Sequence, residues 1–156
     1  MKTKKLVLMA MIAAAAYITV FLVRIPVVLF LKYEPKDVII TIGGFLLGPM
    51  AAFVCSLVVS LIEMLTISET GIIGCVMNLL STCSFACVAA LIYKKNRKLP
   101  GAGLGLIAGS LTMIAVMLLW NYLITPLYMS ISRDVIKSML LPVFLPFNLI
   151  KAGLNA

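Results

Sequence analysis

Apolar residues come in long runs along this chain, separated by short stretches rich in charge, proline or glycine. The first run, Leu6 to Val23, contains no charge over 18 residues and follows a basic head, Met1 to Lys5. A membrane-crossing helix needs about 20 such residues, so the pattern predicts a span over 6–23. A signal peptide is the rival reading, with Ala13 to Ala16 as a cleavage site. The apolar continuation from Tyr17 to Val23 fits a retained helix better. Residues 24–36 carry Pro26, Pro35, charges of both signs and an apolar centre from Val27 to Leu31. Such a stretch reads as a loop that folds back over the protein. A short helix over 37–47 follows, with Asp37 placed to cap it, and Gly48-Pro49 closes it and opens the next. The remaining runs predict helices at about 50–67, 72–93, 103–128 and 143–156. The expectation is a single all-α membrane domain over 1–156 with six transmembrane helices. Pro146 to Ala156 supplies only 11 residues, so the sixth helix is expected to be truncated.

Composition agrees. Hydrophobic residues make up 63% of the chain and charged residues 12%, far from the roughly 45–50% apolar content of soluble domains. The chain is read as an integral membrane protein with a mean hydropathy of +1.20. Histidine is absent, which removes the commonest general base and metal ligand. The net charge of +8 is better explained by membrane topology than by nucleic acid. If every run crosses, one side holds Lys2, Lys4, Lys5, Lys94, Lys95, Arg97 and Lys98 without an acid. The other holds Arg24, Lys32, Lys36, Arg133 and Lys137 against Glu34, Asp37, Glu69 and Asp134. The positive-inside rule then sets the N-terminus in the cytoplasm of a plasma-membrane protein. Cys55, Cys75, Cys83 and Cys87 sit in apolar runs and read as small hydrophobes, not as metal ligands or a disulfide framework.

The polar residues inside the runs are the candidates for chemistry. Asn148 and Lys151 stand three apart and share a helix face near the end of the chain. Burying an amide and an ammonium together needs a compensating partner, and a ligand is the expected one, although a lone lysine can also snorkel to the surface. Ser56, Ser60 and Glu63 form a polar stripe on the third span. Glu63 serves either a hydrogen-bond network with Ser60 or a lysine, or a ligand. Asn78 and Thr82 lie one turn apart, and Met113, Met117 and Asn121 lie at i, i+4 and i+8. With the topology above, Glu63, Asn78, Asn121, Asn148 and Lys151 converge on the outer half beneath the 24–36 loop, where Lys36 and Asp37 border it. Phe147, Tyr122 and the methionines could line an apolar wall. Ala10 and Ala14, with Ala13 beside them, form a small-x-x-x-small pair suited to close approach of another helix or to lipid-facing filler. Gly103-x-Gly105-x-x-Ala108 matches a dinucleotide fingerprint only superficially. It follows a basic loop, not a strand, so close helix packing is expected instead.

Several of these stretches together resemble a known family. They are the basic head with Ala10-x-x-x-Ala14, Lys36-Asp37-Val38 leading to Leu47-Gly48-Pro49-Met50-Ala51, and Asn121-Tyr122-Leu123 with Pro126-Leu127-Tyr128. The most specific is Leu145-Pro146-Phe147-Asn148-Leu149-Ile150-Lys151-Ala152-Gly153. In this order, over nearly the whole chain, they resemble the substrate-binding (S) components of energy-coupling factor vitamin importers, and most closely the riboflavin-specific ones. The resemblance implies a six-helix protein that captures riboflavin in an outward cavity capped by the first loop. It implies that Asn121 and Lys151 bond the polar edge of the flavin ring and that Asn148 helps. It also implies that the Ala10/Ala14 face meets a transmembrane coupling subunit and that two separate ATPase subunits hydrolyse ATP. No G-x-x-x-x-G-K-[ST] phosphate loop occurs here. An S component for another vitamin or small metabolite is the runner-up. A membrane-embedded enzyme or structural subunit is the reading from a different class, disfavoured by scattered acids and no histidine.

Overall fold

The computed structural model describes residues 2–28 and 31–156. Helix α1 (Lys2–Leu22) leads into a two-stranded antiparallel hairpin, β1 (Ile25–Val28) and β2 (Leu31–Tyr33). Helices α2 (Lys36–Leu47), α3 (Pro49–Thr66) and α4 (Gly71–Thr82) follow, and a π-helical segment, Cys83–Cys87, joins α4 to α5 (Val88–Lys95). Then come α6 (Leu99–Leu123), α7 (Thr125–Met129) and α8 (Arg133–Met139). A second π-helical segment, Leu140–Phe144, joins α8 to α9 (Leu145–Asn155).

Among the described residues, five helical stretches are long and apolar enough to cross a membrane: Thr3–Leu22, Pro49–Thr66, Gly71–Lys95, Leu99–Leu127 and Arg133–Asn155. Helix α2, with 12 residues, rises only about 18 Å and falls short of the roughly 30 Å hydrocarbon core. The hairpin stands in line before it.

The last helix differs from the sequence expectation. The run was expected to begin near Pro142, but the helix starts at Arg133 and passes through both prolines, giving 23 residues in place of the short segment expected. Pro142 falls inside the Leu140–Phe144 π segment and Pro146 at the start of α9. Proline lacks an N–H, and a widened turn or a first turn tolerates that loss. The loop at 24–36 also takes more regular form than expected, as a hairpin whose Leu31 is buried against Ile136, Phe144 and Phe147. Two residues of its expected apolar centre, 29 and 30, lie outside the described residues.

Glycines permit the tightest helix contacts. At Gly105 an added Cβ would stand 2.7 Å from the Ala89 carbonyl oxygen, and at Gly109 2.5 Å from that of Phe85. Glycine at i and i+4 thus seats α6 directly on the backbone of the helix before it, the close packing expected for Gly105. Gly103 takes no part, since nothing lies within 4 Å of its Cβ position. Gly48 adopts φ 97° between α2 and α3, a conformation open to glycine, and Pro49 then starts α3.

The main apolar core lies between α1, α2, α3 and the π segment at 83–87, around Ala13, Ala16, Ile40, Ala52, Cys55, Val59 and Ala86. Ala13 was expected to join Ala10 and Ala14 on a docking face. It is instead 8% exposed and belongs to this core. At 100° per residue its direction lies about 100° from Ala14 and about 60° from Ala10, both of which remain exposed.

Candidate functional site

A buried polar network runs through the apolar bundle beside the hairpin. Lys36, at the start of α2, is 1% exposed. Its Nζ donates to Glu34 Oε2 at 2.7 Å and to both Glu63 carboxylate oxygens at 2.6 Å. Arg24 closes the far side of Glu34, donating from Nε to Oε1 at 2.9 Å and from a guanidinium NH to the Ile67 carbonyl at 2.8 Å. Asn78 of α4 donates to Glu63 Oε2 at 2.8 Å.

The next residue, Asp37, holds a second cluster. Its Oδ1 accepts from the Thr82 hydroxyl at 2.6 Å, and its Oδ2 from Asn155 Nδ2 at 3.1 Å. Lys151 Nζ lies 3.2 Å from the same Oδ2 and donates to Ser81 Oγ at 3.0 Å. Tyr33 of β2 donates to Asn155 Oδ1 at 3.2 Å, tying the hairpin to α9. Consecutive residues on a helix diverge by about 100°, which lets one helix start feed two clusters.

The arithmetic of charge explains why this arrangement is tolerated. Arg24, Lys36 and Lys151 face Glu34, Glu63 and Asp37, three cations against three anions. Desolvating each ion costs several kcal/mol, which is recovered only by close opposite charge and filled hydrogen-bond positions. Just after the hairpin, burial alone would raise the Glu34 pKa. The Lys36 charge and hydrogen bond, with help from Lys151 and Arg24, outweigh burial and hold it below the ordinary value.

The structure thus brings together five sequence-predicted residues, Lys36, Asp37, Glu63, Asn78 and Lys151. The lysine partner foreseen for Glu63 is Lys36, not Ser60, whose buried Oγ has no hydrogen-bond partner among the described residues. Asp37 does not cap α2, which has Pro35 at its N-cap position and no side-chain cap bond. Asn121 and Asn148 are 0% and 1% exposed and bond to groups four residues away along the chain. Asn121 Nδ2 donates to the Met117 carbonyl at 2.8 Å and its Oδ1 accepts from Thr125 at 3.1 Å. Asn148 Nδ2 donates to the Phe144 carbonyl at 2.8 Å. Phe147 packs with Leu31 under the hairpin. Sequence reasoning missed Arg24, Glu34, Ser81 and Asn155 as network members. Asn155 was findable, because it sits four residues after Lys151 on the same helix face.

Two cavities open beside the network. One of about 90 Å³ is lined by Arg24, Lys32, Glu34, Glu69 and Asn78, with Thr70, Gly74 and Met77. The other is a smaller apolar seam sharing those last three residues and adding Trp120, Ile124 and Thr125. Pockets for drug-sized ligands measure roughly 300–1,000 Å³, so both cavities are smaller than such a ligand needs. Among the described residues no three His, Cys, Asp or Glu side chains stand together as a metal-holding group.

Comparison with known proteins adds independent evidence. Residues 4–156 match the family described as ECF transporter, substrate-specific component. The chain is 28% identical to the riboflavin transporter FmnP of Bacillus subtilis (strain 168), over 97% of this chain and 85% of that protein. It is 30% identical to the riboflavin transporter RibU of Staphylococcus aureus (strain TCH60), over 96% of this chain and 83% of that one. A solved structure described as the S component of a bacterial ECF transporter superposes with a TM-score of 0.84. It is 26% identical and is covered over 90% of its length by 99% of this chain.

Proposed function

Because the chain belongs to the substrate-specific components of ECF transporters, we propose that it is a riboflavin-binding S component that captures the vitamin for ATP-driven uptake. The membrane-transport role follows from the family. The vitamin, the residues that hold it, the orientation and the partner set are our reading. The observation that carries the vitamin is the similarity, along almost all of the chain, to two riboflavin transporters.

The buried polar groups fit that ligand chemically. Asn121 and Asn148 each donate and accept, and Lys151 donates to a ring carbonyl without needing an anion. The binding step is an exchange. The flavin's imide edge takes the amide donors now spent on the Met117 and Phe144 carbonyls and the ammonium donor now spent on Ser81. Lys151, with three N–H donors, keeps Asp37 while donating to the ligand, so the buried carboxylate is not stripped of its cation. Phe147, Met77 and Trp120 supply apolar and aromatic surface. Lys36, Asp37, Glu63 and Asn78 shape the site from the hairpin side. The N-terminus faces the cytoplasm, and the exposed Ala10/Ala14 face meets a coupling subunit served by two ATPase subunits.

Quenching of riboflavin fluorescence by the purified protein tests the reading. Saturable quenching is expected, weakened about tenfold to a hundredfold in Lys151→Met, as for loss of a hydrogen bond from a charged donor. Absence of quenching, or tight binding of a different vitamin that riboflavin does not displace, would overturn it.

A further inference from the structure

The end of the bundle away from the hairpin holds a site that vitamin binding leaves unused. Lys5 of α1, the turn from Gly44 to Met50, and Ala90, Tyr93, Lys94 and Arg97 around the end of α5 enclose a cavity of about 310 Å³. Its shape follows from Gly44, where an added Cβ would lie 3.0 Å from the Cβ atoms of both Ala52 and Ala90. The absence of a side chain lets α2 lie close on α3 and α5. Phe45 then meets Tyr93, with ring centroids 4.6 Å apart and planes at 39°.

Charge is unbalanced here, unlike in the network near the hairpin. The chain has five carboxylates, Glu34, Asp37, Glu63, Glu69 and Asp134. None of them lines the cavity. Glu34, Asp37, Glu63 and Glu69 are engaged by Lys36, Lys151 and Lys32. Among the described residues no ion pair reaches Lys5, Lys94 or Arg97, which are all exposed, so an anion from outside the chain would meet no competing carboxylate in the cavity. At the same mouth, Leu46 is 74% exposed and Met50 70% exposed on membrane helices. The cavity is therefore lined by cationic and apolar residues together.

We infer that this cavity binds the phosphate headgroup of an anionic phospholipid. Lys5, Lys94 and Arg97 take the phosphate, Arg97 through its planar fork, and Leu46 and Met50 lie along the acyl chains. A partner helix, about 10–12 Å across, is too wide for a cavity of this volume. A headgroup is not. The inference needs only the membrane setting, so its failure and that of the riboflavin reading are separately visible.

The test is a lipid titration of the full chain in neutral detergent, read by native mass spectrometry and by thermal unfolding. Dioleoyl-phosphatidylglycerol is expected to stay bound and raise the melting temperature, and dioleoyl-phosphatidylcholine to do neither. Lys94→Gln/Arg97→Gln should weaken phosphatidylglycerol binding about thirtyfold, the effect of two near-surface cations. Lys95→Gln/Lys98→Gln removes the same charge from the same loop outside the cavity and should leave binding near wild type. Both double variants should keep the wild-type melting temperature in the absence of lipid, which shows that they fold. Equal losses in the two double variants would overturn the site in favour of diffuse attraction. Protection by inorganic phosphate alone would replace the lipid with a free anion. Protection by a Glu-rich peptide without lipid would replace it with an acidic protein segment.

Discussion

Lys36→Met isolates what the charged network contributes. Methionine keeps much of the side chain's volume while removing the ammonium that touches Glu34 and Glu63. The two carboxylates are not left equally exposed to that loss. Glu34 keeps Arg24 at 2.9 Å, whereas Glu63 keeps only the neutral Asn78 at 2.8 Å. The damage is therefore that of one uncompensated buried carboxylate. Breaking a buried pair costs about 3–5 kcal/mol, and with Asn78 still in place the lower end, about 3 kcal/mol, is expected. For a chain of this size that corresponds to roughly 6–12 °C in melting temperature. Circular dichroism of the detergent-solubilised protein measures it. The decisive arm is Lys36→Met/Glu63→Gln, which removes the stranded charge and should recover at least about 1 kcal/mol relative to Lys36→Met alone. A single variant as stable as wild type, or a double variant no better than the single, would refute the idea that charge pairing holds this region.

Acid should loosen the hairpin. Glu34 is held below its ordinary 4.5, so its contribution is full above that value and is lost as pH falls through the lower folded value. Melting temperature should drop on acidification, less steeply in Glu34→Gln. Gly105→Ala and Gly109→Ala place a Cβ 2.7 and 2.5 Å from backbone oxygens and should each destabilise by about 1–3 kcal/mol in thermal melts. Gly103→Ala, with nothing within 4 Å, should be neutral or better. Ala13→Leu overfills the core between α1, α2 and α3 and should lower stability in the isolated protein. Ala14→Leu should spare the isolated protein and impair only co-purification with the coupling subunit.

The membrane class, the helix order and the residue types of the site were legible because each rests on a local signal. Long apolar runs mark spans, Gly48-Pro49 marks a break, and a carboxylate such as Glu63 in a span demands a partner. The identity of that partner was not legible. Lys36 lies 27 positions from Glu63, and no periodicity links the start of one helix to the last turn of another. Glu34 and Arg24 counted only as loop charges on one side of the membrane. Only the hairpin's fold turns them inward. Asp37 looked like a cap by position, yet Thr82, Lys151 and Asn155 claim its carboxylate.

The π segment at Leu140–Phe144 has a consequence for how the final helix is aimed. Its wider turn holds one more residue than an α-helical turn would, and everything after it is rotated accordingly. Deleting a single residue there would shorten the 23-residue stretch by only one and leave it as apolar, but swing Asn148, Lys151 and Asn155 by about 100°. Lys151 would leave Ser81, and Asp37 would lose two of its donors. The aim of the polar face thus depends on a spare residue one turn upstream, at a place where the chain has no polar chemistry of its own.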